Sequence, residues 1–366
     1  MSGPIRLEVM SQLVLEQCAA RGHEQVCFFN YPEVGLKLIV AIHDTTRGPG
    51  LGGCRMRPYQ SEAQALEDVM RLSEGMTYKS ALADLPLGGG KSCIIADPTM
   101  KEGREALFAK VGECLNHLAG RYVTAEDMGT SVVDMNIIKK ISPFVVGTDP
   151  NNGGAGDPSP WTALGVFHSI RAAVERVFTA APKIEGKRVA IQGVGHVGMY
   201  LLENLVKAGA KVTVCDTNSA LTEEAAKRFG AAVVSADQIY DVPCDVFAPC
   251  AIGQTINPET LKRLSCKIIA GAANNQLSAP SVYTTIKERG LLYCPDFAIN
   301  SGGVICVGAE LAEGGPSIPW IQNKVDGIYE TTGRVLDQAL KTGHDTEVVA
   351  IELAKEKIAE AKRRKA

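Results

Sequence analysis

The strongest constraint on the fold of this 366-residue chain is a glycine run lodged between a strand and a helix. Residues 187–192 are a short apolar stretch of strand type. Gly193-Val-Gly195-His-Val-Gly198 follows without a break, and residues 199–207 have helical spacing. Residues 211–215 form the next strand, which runs into Asp216, 18 positions after Gly198. A lone Gly-x-Gly-x-x-Gly is a weak signal, but in this frame it marks a dinucleotide site. The glycines permit a tight turn and close approach of a pyrophosphate, which sits on the helix N-terminus. Asp216 is expected to accept hydrogen bonds from the adenosine ribose hydroxyls. It would repel a 2′-phosphate and has no arginine beside it, so the expected cofactor is NAD rather than NADP.

The rest of the second half keeps the alternation of strand and helix. A long helix is expected from Thr162 to about Ala180. Further strands are expected at 245–248 and 266–269, followed by the loops Pro249-Cys-Ala-Ile-Gly-Gln and Gly271-Ala-Ala-Asn-Asn-Gln. In a doubly wound sheet such loops lie at the carboxyl strand ends, where ligands bind. Asn274 and Asn275 fall in one of them, either as turn residues or as groups facing the nicotinamide. Asn300-Ser-Gly-Gly-Val marks another helix start. The tail 317–363 is largely helical, with apolar positions such as Val325, Ile328, Val335, Ile351 and Leu353, and could return to pack on the first half. A glycine- and proline-rich stretch at 147–160 reads as a hinge.

The first half is α/β of a different kind. A helix is expected over 5–20, then strands at 26–29 and 36–42 joined by a turn around Pro32–Gly35. Gly48-Pro-Gly-Leu-Gly-Gly-Cys-Arg reads as a loop that something approaches closely. Ser61 is a plausible N-cap for a helix running towards Lys79. Lys79 and Lys91 lie 12 positions apart in a nearly uncharged segment, with Gly88-Gly-Gly immediately before Lys91. A P-loop would require glycine at Leu85, so Lys91 is placed at the start of a strand (91–96), facing a cleft. Lysine in such a pocket loses hydration, and its pKa can fall far enough for proton transfer near neutrality. After a helix at 102–118, a strand ends in the adjacent acids Glu126 and Asp127, either of which can serve a site there.

Charge and cysteine content exclude other classes. A formal net charge of −3 gives no sign of a nucleic-acid or membrane partner. The 11 cysteines are an odd number without a Cys-x-x-Cys pair or zinc spacing, so no metal is expected. Most sit in apolar, strand-like runs, which fits free thiols in a reducing cytoplasm. The N-terminus lacks an apolar signal core, and no run approaches 18 apolar residues.

Several segments occur together and in one order: Gly-Pro-Gly-Leu-Gly-Gly-Cys-Arg-Met (48–56), Gly-Met-Thr-Tyr-Lys (75–79), Gly-Gly-Gly-Lys (88–91), Thr-Ala-Glu-Asp-Met-Gly-Thr (124–130), the glycine run at 193–198, Ala-Pro-Cys-Ala (248–251) and Ala-Asn-Asn-Gln-Leu (273–277). In this the chain resembles the glutamate, leucine, phenylalanine and valine dehydrogenases over nearly its whole length. The resemblance implies an α/β protein of two domains with a cleft between them. Residues 1–150, joined by the C-terminal helices 331–366, would bind substrate and build a homo-oligomer; residues 151–330 would be the Rossmann domain that binds NAD. The implied reaction oxidises an L-amino acid to a 2-oxo acid and ammonium. Lys91 and Asp127 would be catalytic, Lys91 polarising the attacking water and Asp127 shuttling protons. Lys79 would hold the substrate α-carboxylate, with Leu51, Gly52, Ala125, Asn275, Val304 and Val307 as further substrate contacts. Thr162, Gly193, Gly195, His196, Val197, Gly198, Asp216, Cys250, Ala251 and Asn274 would contact the cofactor.

The side-chain wall implied by this resemblance (Leu51, Ala125, Val304, Val307) is apolar and lacks a cation for a γ-carboxylate. Phenylalanine-specific relatives tend to have glycine where Ala125 stands, so Ala125 favours leucine and other branched aliphatic substrates. Gly-Gly-Cys-Arg-Met, Ser-Ala-Leu-Ala-Asp and Val-Ala-Ile-Gln-Gly-Val-Gly are similar to the phenylalanine enzymes, which keeps an aromatic substrate as the alternative. A non-catalytic NAD-binding sensor is a remote third. Gly50, Trp161 and Cys306 depart from the family's usual pattern.

Overall fold

The computed structural model describes residues 14–365. Packing divides them into two units. One runs to Ala81, resumes over Pro86–Gly156 and takes the end of the last helix from Ala361; the other holds Leu82–Leu85 and Asp157–Glu360.

The first unit is built from α1 (Val14–Arg21), β1 (Gln25–Tyr31), β2 (Leu36–Asp44), β3 (Gly50–Arg57), α2 (Glu62–Leu82), β4 (Gly88–Ile95), α3 (Arg104–His117), β5 (Tyr122–Glu126) and α4 (Val132–Ile141). Its sheet has the order β1-β2-β4-β3-β5. β1, β2 and β4 pair antiparallel, whereas β3 lies parallel to both β4 and β5. The alternation in β2 shows why the sheet is two-sided. Leu36, Leu38, Val40 and Ile42 pack against α3 and α4; Ile39 and Ala41 point the other way, into a cluster with Val69 and Met70 of α2. The part of the predicted first helix before Val14 lies outside the described residues.

Two expectations are corrected here. The glycine-rich stretch after Gly48 is not a loop but strand β3. Glycine is a poor strand former by itself, yet here it is required by packing. A Cβ on Gly52 would fall 1.8 Å from the Gly90 carbonyl oxygen, and one on Gly89 would fall 2.1 Å from the Thr77 amide nitrogen of α2. What approaches these glycines closely is the protein's own backbone. Lys91 is likewise not at a strand start: it is the fourth residue of β4, held between β2 and β3.

The second unit contains α5 (Ser159–Val177), β6 (Arg188–Gln192), α6 (His196–Lys207), β7 (Lys211–Cys215), α7 (Ser219–Phe229), β8 (Ala232–Val233), β9 (Val246–Pro249), α8 (Pro258–Arg263), β10 (Ile268–Ile269), α9 (Val282–Glu288), β11 (Leu292–Tyr293), α10 (Asp296–Ile299), α11 (Gly302–Gly308), α12 (Ile318–Thr342) and α13 (Thr346–Lys365). Its sheet has the order β11-β10-β9-β6-β7-β8 and is parallel throughout. Strand order reverses between β6 and β9, which makes the loops after these two strands the topological switch point. The helix expected from residue 199 starts three residues earlier, at His196, directly on the glycine run.

The two units part between Gly156 and Asp157, inside the stretch read as a hinge. Residues 331–360, which sequence attaches to the first domain, pack with the second unit. The reason lies on α5. Arg176 there pairs with Asp337 at 2.6 Å, and the Ser169 and Thr332 hydroxyls meet at 2.9 Å in the buried seam between α5 and α12.

Candidate active site

In the first unit the candidate residues converge on the α2 side of the sheet. Strand register puts them there. Arg55 lies opposite Cys93 across β3 and β4, and Gly53 lies opposite Ala125 across β3 and β5. Paired residues share a face, so Lys91, two before Cys93, and Asp127, two after Ala125, point to the same side. Leu51, opposite Val123 and Gly89, belongs to this face as well. Leu51 and Ala125 are both buried.

Lys91 and Asp127 form an ion pair, Nζ to Oδ2, at 2.8 Å, with the lysine side chain only 8% exposed. Asp127 owes its position to the turn after β5. Its amide donates to Thr130 Oγ1 at 2.9 Å, and the Thr130 hydroxyl reaches the Cys54 carbonyl on β3 at 2.9 Å. Gly53 clears the space, since a Cβ there would lie 2.7 Å from Asp127 Cβ. Burial raises the Asp127 carboxyl, but the Lys91 ammonium and the Arg55 guanidinium outweigh it and hold the group at about 2. At neutral pH Asp127 is therefore an ionised carboxylate.

Lys79 stands half-buried in the last turn of α2. Thr77, two residues before it, anchors this turn. Its hydroxyl meets His43 Nδ1 at 2.8 Å, and its backbone lies flat against Gly89. Gly52 is buried with its carbonyl accepting the Tyr122 hydroxyl at 2.6 Å. Tyr122 in turn fills the space in front of Gly90.

In the second unit the glycine run is shaped as a dinucleotide cradle requires. Gly193 has φ +95°, and a Cβ on it would strike Ala251 at 2.7 Å; a Cβ on Gly198 would lie 2.1 Å from the Gly193 carbonyl oxygen. The first glycine thus makes the turn beside the β9 loop, and the last lets α6 sit against it. Gly195 differs, because nothing lies within 4 Å of where its Cβ would stand. The open side belongs to a helix N-terminus with no side-chain cap, whose first residues are the exposed His196 and the half-buried Val197. Uncapped amides beside open space suit a phosphate. Asp216, at the end of β7, accepts the Val194 amide at 2.9 Å and the Asn218 amide at 2.9 Å.

The remaining positions of the second unit lie on the loops after β9 and β10 and on α5 and α11. Cys250 follows β9, and burial pushes its thiol up to about 12. Ala251 touches Gly193. Asn274 and Asn275 are exposed, and Asn275 adopts φ +52°. The Asn275 carbonyl accepts the Gln254 amide at 2.7 Å. Thr162 lies on α5 with its hydroxyl on the Pro158 carbonyl at 3.1 Å, close to Gly303 of α11. Val304 and Val307 are one turn apart on α11, the first buried and the second half-buried.

Two residues that touch these candidates were not found from sequence. Asn300 donates through Nδ2 to the Asn274 side-chain oxygen at 2.7 Å and to the Ala272 carbonyl at 3.0 Å, which fixes how Asn274 is turned. Arg55 donates through Nε to Asp127 Oδ2 at 2.9 Å. It stood inside a recognised segment, but its partner is 72 residues away, and no local pattern announces that distance.

Comparison with known proteins agrees with both halves. Residues 23–142 match the model described as Glu/Leu/Phe/Val dehydrogenase, dimerisation domain, and residues 153–226 and 221–365 match that of Glutamate/Leucine/Phenylalanine/Valine dehydrogenase. The chain is 46% identical over 353 residues to the leucine dehydrogenase of Bacillus cereus, covering 96% of this chain and 95% of that one. It is 42% identical over 354 residues to the phenylalanine dehydrogenase of Caldalkalibacillus thermarum, covering 95% and 94%. Among solved structures, the L-tryptophan dehydrogenase from Nostoc punctiforme superposes with a TM-score of 0.85 at 38% identity, covering 96% of this chain and all of that one.

Proposed function

The chain belongs to the Glu/Leu/Phe/Val dehydrogenase family, and on that premise we propose that it deaminates leucine and related branched L-amino acids oxidatively, with NAD as the acceptor and the 2-oxo acid and ammonium as products. The class of reaction, oxidation at a CH–NH2 donor with a dinucleotide, follows from the family. The ion pair of Lys91 and Asp127, buried on one face of the first sheet, is the observation that carries the mechanism.

When bound, the nicotinamide ring supplies the acceptor for the hydride that leaves the substrate Cα. The chain's own residues do the rest. Lys79 binds the α-carboxylate. Asp127, held ionised by its two cations, takes a proton from the substrate side. Lys91 polarises the water that attacks the iminium carbon, and the pair returns protons as the carbinolamine collapses to ketone and ammonia. Asn275 helps orient the substrate, and Asn274, braced by Asn300, serves the nicotinamide side.

Leucine is favoured by the apolar character of Leu51, Ala125, Val304 and Val307, and by the 46% identity to a leucine dehydrogenase. Phenylalanine is the second reading, supported by the 42% identity to a phenylalanine dehydrogenase. NAD over NADP is supported by Asp216, whose neighbours Cys215 and Thr217 bring no cation for a 2′-phosphate. The dimerisation-domain match over residues 23–142 supports a homo-oligomer. Buried thiols such as Cys54, Cys114 and Cys294, each pushed up to about 12 by burial, suit a reducing cytoplasm.

The test is formation of the reduced cofactor at mildly alkaline pH, with NAD or NADP, on Leu, Ile, Val, Phe, Trp and Glu. The highest kcat/KM is expected on Leu with NAD. A higher value on Phe overturns the substrate reading, and a higher value with NADP overturns the cofactor reading. No turnover on any of the six removes the proposed reaction.

A further inference from the structure

Arg55 carries none of the roles assigned above, yet its side chain is only 13% exposed and its guanidinium is used on both sides. Nε reaches Asp127 Oδ2 at 2.9 Å, and Nη1 reaches Asp68 Oδ2 on α2 at 3.0 Å. Asp68 is fixed in turn by the Tyr59 hydroxyl at 2.9 Å and by Arg71 at 3.0 Å. The oxygen that Arg55 binds on Asp127 is the one that also takes Lys91 Nζ at 2.8 Å. One carboxylate oxygen is therefore shared by two cations, of which only the lysine can give up its proton.

We propose that Arg55 is a positioning residue for the proton-transfer pair: it fixes Asp127 Oδ2 and keeps Asp127 a charged acceptor while Lys91 is neutral, and the Asp68–Tyr59–Arg71 brace holds it at that task. The proposal rests on the reading of Lys91 and Asp127 as the pair that handles protons. If Lys91 were the only partner, Asp127 would lose its counter-ion each time that lysine gave up a proton. A buried carboxylate left in that state takes a proton itself and stops being a base. Arg55 stays charged throughout. Asp68 matters because an unbraced guanidinium can turn both prongs onto one carboxylate. With Nη1 held by Asp68, Arg55 gives Asp127 one bond and leaves room for the bond from Lys91.

The other charged and titratable groups around Asp127 do not replace this cation. Behind it on β3 and β5 lie Cys54, Tyr122 and the neighbouring Glu126, none of them a cation. Asp134 of α4 is held by Arg104 of α3 at 2.7 Å. On α2, Asp68 and Arg71 connect to Asp127 through Arg55, and Lys79 in its last turn is the cation assigned above to the substrate carboxylate.

The experiment uses the full-length enzyme and its pH profile of kcat/KM. Lys91 and Asp127 are in direct contact, so loss of a cation from beside them moves the rising limb to higher pH whichever member holds the proton. Arg55→Met is expected to move that limb up by about one to three pH units. Its kcat is expected to fall by about a hundredfold, with KM for the amino acid changed far less. Arg55→Lys is expected to bring the limb back towards its original place while restoring only part of kcat. A limb in Arg55→Met that coincides with the unmodified enzyme's overturns the proposal. If Arg55→Met does not fold, Asp68→Asn carries the test: kcat should fall without an upward move of the limb, and undiminished kcat overturns the brace. Asp127→Asn separates the two levels. Near-normal turnover in that variant ends the reading of Asp127 itself. Lost turnover there, together with an unmoved limb in Arg55→Met, ends the role of Arg55 alone.

Discussion

Asp216 Oδ2 accepts the backbone amide of Val194, 22 residues earlier, at 2.9 Å. The acid that ends β7 is therefore tied to the middle of the glycine run after β6. It is both a group that can meet the ribose and a strut for the loop that can meet the phosphates. Asp216→Ala should thus weaken NAD by more than a lost ribose contact. A rise in Kd of ten- to a hundredfold is expected, equivalent to about 1–3 kcal/mol, with a smaller preference for NAD over NADP. Titration of both reduced cofactors by fluorescence measures this, and unchanged NADH affinity would refute it.

Gly193→Ala meets two obstacles at once. The residue would have to hold φ +95°, and its methyl would lie 2.7 Å from Ala251 Cβ. Positive φ alone costs an L-residue about 1–2 kcal/mol. The loop must shift away from β9, so KM for NAD should rise at least tenfold. The Lys91–Asp127 pair lies in the other unit, and its geometry should be intact. Wild-type KM for the cofactor would show that the turn does not need glycine.

The chemistry of the first unit can be probed by removing one charge. Lys91→Ala should lower kcat by about 10²- to 10⁴-fold, the range expected for loss of a positioned acid–base group. Amino-acid and NAD binding should persist, since Lys79 and the second unit are untouched. Isothermal titration alongside steady-state kinetics separates the two effects, and near-normal kcat would take Lys91 out of the mechanism.

These sites were unevenly legible in the sequence. The dinucleotide turn is local: strand, glycines and helix succeed one another within 20 residues (188–207), and each level of the pattern agrees. Lys91 and Asp127 were singled out from motifs, and the structure pairs them although β3 lies between their strands. The contact of Arg55 with Asp127 was not found, because it depends on parallel pairing of β3 with β4 and β5, and parallel neighbours are brought together by connections far longer than a turn. The strand at 50–57 was missed for the opposite reason. Glycine content argued locally for a loop, and close backbone contact with Gly90 overrode it. The packing of α12 on α5 was also invisible, since amphipathic spacing shows that a helix has an apolar face but not what covers it.

Ala125 offers a test of substrate choice. It is buried on the same face of the sheet as Leu51 and Asp127. Ala125→Gly removes one methyl from that wall, so the ratio of kcat/KM for Phe over Leu should rise by about tenfold, within the 1–3 kcal/mol that one such group commands. An unchanged ratio would place the specificity wall elsewhere.

Acid stability has a defined weak point in the first unit. His23 is buried, with Nε2 at 2.8 Å from Ser73 Oγ and 3.1 Å from the Met70 carbonyl, and with its ring 4.8 Å from that of His43. Burial, then the neighbouring His43, lower its pKa from 6.5 to about 4. The unfolded chain takes up this proton first, so the contribution of neutral His23 is complete above pH 6.5 and is lost as pH falls from there towards about 4. Tm should decline across that window, and His23→Gln should flatten the decline. Equal slopes in the two proteins would exclude His23 as the cause.

The glycines of β3 and β4 have a consequence for how such a protein can change over generations. Substitution at Gly52, Gly88, Gly89 or Gly90 drives a side chain into backbone or a buried ring at 2.5 Å or less. This part of the sheet is drawn by peptide groups, which every residue type carries alike and which offer nothing for selection to vary. Variation on this face is left to positions that carry a side chain, such as Leu51 and Ala125. On the proposed function, a descendant could change which amino acid it accepts through such positions while the frame behind Lys91 and Asp127 stayed as it was.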